Sequence, residues 1–116
     1  MKINSVSGIT YHVRDLARSA EFYESLGFRK GAEEPDRVTF WSNWFFLTLI
    51  AAKQRKGANG AGAFTYVKVD DLDAYHEAVV AKGLSPEDEP HATNGGRREF
   101  VLRDPDGYNL VFFEKK

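Results

Sequence analysis

The chain has 116 residues, of which 42% are apolar, and this length fits one compact domain with a hydrophobic core but leaves no room for a second. Its 16 basic and 17 acidic side chains nearly cancel, and no basic stripe is long enough to neutralise a run of phosphates, which argues against nucleic acid as a partner. The absence of cysteine excludes disulfides, thiolate metal ligands and thiol catalysis. No segment has the apolar length of a signal peptide or a membrane span, so the sequence predicts a soluble, cytoplasmic protein without a membrane partner.

The first half of the chain predicts the element order β-α-β-β-β. Alternating residues over 9–13 predict a strand, and a helix over 16–26 follows, with Asp15 as its N-cap and Gly27 as its C-cap. Alternation in that strand separates two sets of side chains, Ile9, Tyr11 and Val13 on one face and Gly8, Thr10 and His12 on the other. Three short β-prone runs come next, at residues 28–32, 38–42 and 44–52, with turns at 34–36 and 42–43.

The second half repeats this order after a glycine-rich segment at residues 57–62, which has the composition of a flexible linker. Asp15 and Asp71, and likewise Gly27 and Gly83, stand 56 positions apart, which indicates an internal repeat. The predicted elements are a strand over 63–69, a helix over 72–82, a weak strand near 87–93, a strand over 98–103, a turn at 104–107 and a strand over 108–114. We therefore expect one domain over residues 1–116, made of unit one (1–56), the linker (57–62) and unit two (63–116).

Three sequence motifs carry a resemblance to a known family through their order, spacing and repetition. They are Val13-Arg14-Asp15-Leu16-Ala17-Arg18-Ser19 followed by Phe22-Tyr23 and Leu26-Gly27-Phe28, then Val69-Asp70-Asp71-Leu72, and finally Arg103-Asp104-Pro105-Asp106-Gly107-Tyr108. The whole chain resembles the vicinal oxygen chelate superfamily, which groups glyoxalase I, fosfomycin and bleomycin resistance proteins, and extradiol dioxygenases. The resemblance implies an α+β, glyoxalase-like fold: two tandem βαβββ units that form a curled mixed sheet around a cavity, usually completed in a homodimer.

Enzymes of this family hold a divalent metal with His, Gln or Glu side chains from the first and last strands of each unit, and the resemblance identifies the matching positions here. They are Gly8, Phe64, Val111 and Leu47, the last being replaced by Phe46 or Thr48 if the strand register slips by one residue. None of these side chains is a good metal donor, and His12 lies about 13 Å along the strand from Gly8 at roughly 3.3 Å per residue. The sequence therefore predicts neither a metal nor another cofactor.

The same alternation predicts an apolar, largely aromatic ligand site on the inward face of the strands. The expected lining residues are His12, Leu47, Phe64, Tyr66, Asn109, Val111 and Phe113. Two basic residues, Arg97 and Arg98, precede the penultimate strand, and Arg98, beside the hinge-like Gly95-Gly96, is expected to bind a carboxylate or sulfonate of the ligand. A flat aromatic ligand, preferably anionic, fits such a lining.

The favoured function is that of a metal-free protein that binds an aromatic or amphipathic small molecule, in the manner of bleomycin resistance proteins, which sequester a drug without altering it. Antibiotic resistance is one instance of that function. No residue is assigned a catalytic role. Two alternatives stay open: a glyoxalase-like lyase or isomerase or a dioxygenase-related enzyme, and a dimeric interaction or regulatory module whose cavity is filled by its own side chains. A homodimer is expected because an open sheet leaves apolar strand edges that a second copy can cover.

Overall fold

The structure is a computed structural model that describes residues 1–52, 63–93 and 96–115, without the side chain of Lys115. The predicted linker at 57–62 and the predicted hinge residue Gly95 lie outside the described residues. The chain divides into two units, unit one at Met1–Gly57 and unit two at Ala58–Lys116.

Each unit has the element order βαβββ, which confirms the predicted fold class. Unit one contains β1 (Gly8–Val13), α1 (Leu16–Leu26), β2 (Arg29–Glu34), β3 (Arg37–Ser42) and β4 (Phe45–Ala51). Unit two contains β5 (Phe64–Lys68), α2 (Leu72–Ala81), β6 (His91–Ala92), β7 (Arg97–Arg103) and β8 (Asn109–Lys115). Neither α1 nor α2 has the length or apolar composition of a membrane-spanning helix.

The two units have equivalent mixed sheets of four strands. The strand orders are β1-β4-β3-β2 in unit one and β5-β8-β7-β6 in unit two. The first strand of each unit lies at an edge and runs parallel to the last, whereas the remaining neighbours are antiparallel. A parallel pair needs a long crossover connection, and each unit provides one through its helix and the two middle strands.

Both helices begin where the sequence predicts, because an aspartate satisfies the first turn. The carboxylates of Asp15 and Asp71 accept hydrogen bonds from the backbone N–H groups of Arg18 and Ala74, each at 3.1 Å. Helix α2 ends one residue earlier than predicted, at Ala81, with Lys82 as its C-cap.

The Asp104–Tyr108 turn, which is part of the last family motif, is held by a buried carboxylate. Oδ1 of Asp104 accepts hydrogen bonds from the backbone N–H groups of Asp106, at 2.8 Å, and Tyr108, at 2.9 Å. Gly107 has a φ of 90°, a conformation that favours glycine. This motif therefore serves to close the β7–β8 turn in the register that positions β8.

Each helix covers one face of its own sheet and leaves the other face without a helix from that unit. In unit one, the helix-covered face is the buried side of β1, β3 and β4, formed by Tyr11, Val13, Val38, Phe40, Leu47 and Leu49. In unit two, it is formed by Phe100, Leu102, Leu110 and Phe112, against Tyr75, His76 and Val79 of α2. Burial raises the pKa of the Tyr75 phenol to about 12 because desolvation penalises the phenolate.

The register of the β3–β4 hairpin places Leu47 on the face of the sheet opposite to the predicted one. The predicted turn at 42–43 lies one residue too early, since Ser42 pairs with Phe45 and the turn residues are Asn43, at a φ of 56°, and Trp44. Asparagine tolerates this left-handed conformation better than most residues. The shift exchanges the two faces of β4: Leu47 is 3% exposed on the helix-covered face, and Thr48 pairs with Thr10 on the other.

Strand β6 is much shorter than the predicted strand at 87–93, and a side chain explains the difference. The N–H group of Val101 donates to the carboxylate of Asp88 at 2.8 Å instead of to a neighbouring carbonyl. Pro86 and Pro90 lack the N–H groups that a continuous ladder needs. Within the predicted segment 87–93, His91 and Ala92 are therefore the residues that pair with β7 as a strand.

Candidate ligand-binding site

On the helix-free face of unit one, an aromatic pair lies next to Gly8, the position that the family resemblance matches to a metal ligand. Gly8 pairs with Phe46, which pairs with Trp41 on the next strand. The Phe46 and Trp41 rings meet edge to face, with centroids 5.6 Å apart. A Cβ atom added at Gly8 would overlap the ring of Phe46, so the space next to Gly8 is already filled.

The register assigns the last-strand ligand position of unit one to Thr48 rather than to Leu47. The Thr48 hydroxyl shares a hydrogen bond of 2.9 Å with the hydroxyl of Thr39 on β3. Among the described residues, no three His, Asp or Glu side chains are grouped so that they can hold a metal ion. With Gly8, Phe64 and Val111 at the other three positions, this donor set does not fit a divalent metal.

The helix-free face of unit two brings together five of the predicted lining residues. Phe64 and Tyr66 on β5 pair with Asn109 and Val111 on β8, and Phe113 follows two residues later on the same face. Phe64 and Tyr66 are 54% and 52% exposed, whereas Asn109 and Val111 are buried. The amide of Asn109 is engaged on both sides: it accepts from Nε of Arg103 at 3.2 Å and donates to the carbonyl of Ala63 at 3.3 Å.

Four side chains on this face form a group that we call the Tyr66 cluster: Tyr66, Phe113, Arg97 and Glu99. The rings of Tyr66 and Phe113 meet at a centroid distance of 6.2 Å and an interplanar angle of 68°. The guanidinium carbon of Arg97 lies 5.3 Å from the centroid of Tyr66 and 5.5 Å from that of Phe113. Both distances fall within the range of cation–π attraction.

The polar half of the Tyr66 cluster is imperfectly paired. One terminal nitrogen of Arg97 lies 3.7 Å from Oε1 of Glu99, close enough for an ion pair but too far for a hydrogen bond. Nε of Arg97 and Oε1 of Glu99 are buried, and neither has a hydrogen-bond partner among the described residues. Buried polar groups are normally hydrogen bonded, so these two atoms are exceptions among the described residues.

Arg98, the predicted anion-binding residue, lies on the helix-covered face instead. Its guanidinium donates two hydrogen bonds of 3.0 Å to Asp73 and one of 3.1 Å to Glu114. Glu114 in turn accepts from the backbone N–H of Leu72 at 2.8 Å, so this network ties the start of α2 to β7 and β8. Hydrogen bonding to Asp73 raises the pKa of Arg98, and the same contact lowers the pKa of Asp73.

The predicted residues thus fall into three places. Phe64, Tyr66, Asn109, Val111 and Phe113 share the helix-free face of unit two, and His12 is exposed on the helix-free face of unit one. Leu47 and Arg98 lie on helix-covered faces and do not belong with the others. Sequence reasoning passed over Arg97, although strict alternation from Val101 through Glu99 places it on the same helix-free face as Tyr66.

Comparison with known proteins agrees with this architecture. The family model described as Glyoxalase/Bleomycin resistance protein/Dioxygenase superfamily matches residues 3–112. The chain belongs to this superfamily. No protein of curated function matches the chain significantly.

Solved structures of the superfamily fold are similar to this chain at low sequence identity. A glyoxalase/bleomycin resistance protein/dioxygenase from Nocardioides is 19% identical, covers 99% of this chain and 85% of its own length, and has a TM-score of 0.83. A hypothetical protein from S. aureus is 23% identical, with coverages of 98% and 95% and a TM-score of 0.80. A lactoylglutathione lyase from Agrobacterium tumefaciens is 20% identical, with coverages of 97% and 95% and a TM-score of 0.80. At these identities the likeness establishes the fold alone.

Proposed function

We propose that this protein is a metal-free, small-molecule-binding member of the glyoxalase/bleomycin resistance superfamily, which holds an aromatic or amphipathic ligand on the helix-free face of unit two. The observation that carries the proposal is the half-exposed ring of Tyr66, in edge-to-face contact with Phe113. Two rings in this arrangement offer a flat ligand one face and one edge. Desolvating the exposed part of such rings is a favourable source of binding energy.

The packing around Gly8 supports the metal-free part of the proposal. The Phe46 ring fills the space that a His or Gln side chain at position 8 would need. Binding without chemical change, as in drug sequestration, requires no metal and no catalytic group. The Tyr66 cluster supports the binding part of the proposal, because it combines apolar contact area with a few polar groups, the mixture typical of ligand sites.

Replacing Tyr66 with alanine is expected to weaken ligand binding several-fold or more while leaving the fold intact. Stacking on one ring contributes about 0.5–1.5 kcal/mol beyond the area that it buries. The measurement is calorimetric titration with a panel of aromatic acids, aromatic amines and planar antibiotics, with thermal melting on the same samples. Trp44→Ala is the matched control, because this ring is 64% exposed but lies in the β3–β4 turn of unit one, and it should leave the affinity unchanged.

Two results would contradict this use of Tyr66. If Tyr66→Ala melts far below the parent protein, the Tyr66 ring is needed for folding rather than for binding. A parent that binds no member of the panel, and whose concentration-dependent dimerisation in sedimentation equilibrium is lost in Tyr66→Ala, would assign the face to contact with a second copy. Because Phe64 beside Tyr66 is also exposed, contact with a second copy of the chain is the main alternative to ligand binding on this face.

Metal titration tests the other half of the proposal. Zinc, nickel, manganese and ferrous iron, added separately to the purified protein in a calorimeter, are expected to show no stoichiometric binding, because Gly8, Phe64, Val111 and Thr48 supply at most one weak hydroxyl donor. One equivalent of any of these ions bound at micromolar affinity or tighter would overturn the metal-free function and favour an enzyme.

A further inference from the structure

The Arg97 guanidinium lies over the two rings of the Tyr66 cluster. It is a planar cation placed 5.3 Å and 5.5 Å from the centroids of two rings and 3.7 Å from a carboxylate oxygen. Two aromatic rings and an acid are the groups that recognise an organic cation. In the protein alone, these groups are occupied by one of its own side chains.

The contact between Arg97 and Glu99 leaves polar atoms of both side chains without hydrogen bonds in the part of the chain that the structure describes. Nε of Arg97 and Oε1 of Glu99 are both buried without a hydrogen bond to any described residue. A donor that reached Oε1 would satisfy this acceptor, and release of Arg97 to solvent would let water satisfy Nε. The Arg97 side chain is already 39% exposed, and its long, flexible stem allows it to leave.

We propose that Arg97 is a displaceable stand-in for the ligand, and that the site therefore selects planar organic cations with N–H donors, such as aryl amidines and aryl guanidines. The inference deepens the proposed function and rests on it. The ligand's cationic group lies over Tyr66 and Phe113 and donates to Oε1 of Glu99, while the Arg97 guanidinium moves into solvent. Exchange of one cation for another leaves the charge of the site unchanged.

The position of Glu99 argues against an anionic ligand at the same place. Its side chain is only 16% exposed, so an anion over Tyr66 would lie against a partly buried carboxylate. Arg98, on which the expectation of an anion rested, is bonded to Asp73 and Glu114 on the other face. Among the described side chains of the helix-free face, the other cations are Lys68, which is exposed, and Arg103, which already hydrogen bonds to Asn109.

Three isosteric probes test the proposal: biphenyl-4-carboxamidine, biphenyl-4-carboxamide and biphenyl-4-carboxylate, titrated calorimetrically into the parent protein. We expect the amidine to bind about tenfold or more tightly than the carboxylate, with the amide between them, since a hydrogen bond to a charged partner is the stronger kind. Arg97→Ala is expected to raise the affinity for the amidine because it removes the internal competitor. Glu99→Gln is expected to abolish the preference for the amidine.

The control for the lost charge is Arg18→Ala, an exposed arginine on α1 of unit one, which should leave all three affinities unchanged. Thermal melting of each variant shows whether it is folded, and the parent's order of affinities tests the proposal even where a variant fails to fold. Carboxylate binding that equals or exceeds amidine binding, depends on Tyr66 and is weakened in Arg97→Ala would overturn the cation preference while leaving the proposed function in place. If none of the three probes binds while another member of the aromatic panel does so through Tyr66, the cation preference fails and the proposed function stands. If no aromatic compound binds, or if binding does not depend on Tyr66, both fail.

Discussion

Replacing Phe112 with alanine is expected to lower the free energy of unfolding by about 3–5 kcal/mol, the largest loss of any single substitution considered for this protein. The ring is fully buried on the helix-covered face of unit two. It stacks on Phe100 with centroids 5.4 Å apart, and its centroid lies 4.7 Å from that of Tyr75 on α2. Truncation removes these contacts and leaves a cavity between the helix and the sheet.

Chemical denaturation followed by circular dichroism measures the effect of Phe112→Ala. The matched control is Phe64→Ala, since Phe64 is the same residue type on the helix-free face of the same sheet but is half exposed, and substitutions at such surface positions change stability by about 0.5 kcal/mol or less. Equal losses in the two variants would show that the two faces of this sheet are equally important for stability. That result would remove the structural basis for treating the helix-free face as a binding surface.

Gly8→His is expected to lower the free energy of unfolding by about 1–3 kcal/mol rather than to create a metal ligand. Any Cβ atom there overlaps the Phe46 ring, which is held in turn against Trp41. Adding Phe46→Ala to Gly8→His frees the space, so the double variant should be more stable than the sum of the two single effects predicts. Thermal or chemical denaturation of the parent, both single variants and the double variant forms a complete double-mutant cycle.

The sign of the coupling energy decides this prediction. A favourable coupling between Gly8→His and Phe46→Ala confirms that the aromatic ring and a side chain at position 8 compete for one space. Simple additivity would show instead that Phe46 moves aside without cost, and a single Gly8→His variant as stable as the parent would contradict the packing argument. Even then, Phe64 and Val111 would supply no donor at two of the other three ligand positions, so the metal-free function would rest on those residues rather than on the packing at Gly8.

Several features were predictable from the sequence because they depend on residues close together in the chain. Asp15 and Asp71 cap the helices through the backbone three residues later, so a short motif contains the whole interaction. The same holds for Asp104, whose carboxylate closes its own turn. The equal spacing of these motifs in the two halves predicts the repeat, and with it the βαβββ order of both units and the superfamily.

Errors arose where one residue of strand register decides which face a side chain occupies. The turn lies at Asn43 and Trp44 rather than at the predicted 42–43. Leu47 therefore lies under the helix, and Thr48 lies on the helix-free face. Arg97 and Arg98 are adjacent in sequence but lie on opposite faces of β7, and the ion pairs of Arg98 with Asp73 and Glu114 become visible only after α2 is packed. Alternation alone does not say which of two neighbouring arginines meets a helix.

By itself, the sequence determined the order of the elements, the caps that begin the helices, the internal repeat and the absence of donors at Gly8, Phe64 and Val111, since each of these follows from local chemistry or from residue identity. Only the tertiary structure decided the composition of the candidate site. Arg97 meets Tyr66 because β5 pairs with β8, a strand distant from it in the chain, and the ring of Phe46 comes to lie on Gly8 because β1 pairs with the equally distant β4. The physical reason is that pairing between distant strands sets the register, and a shift of one residue in register exchanges the two faces of a strand.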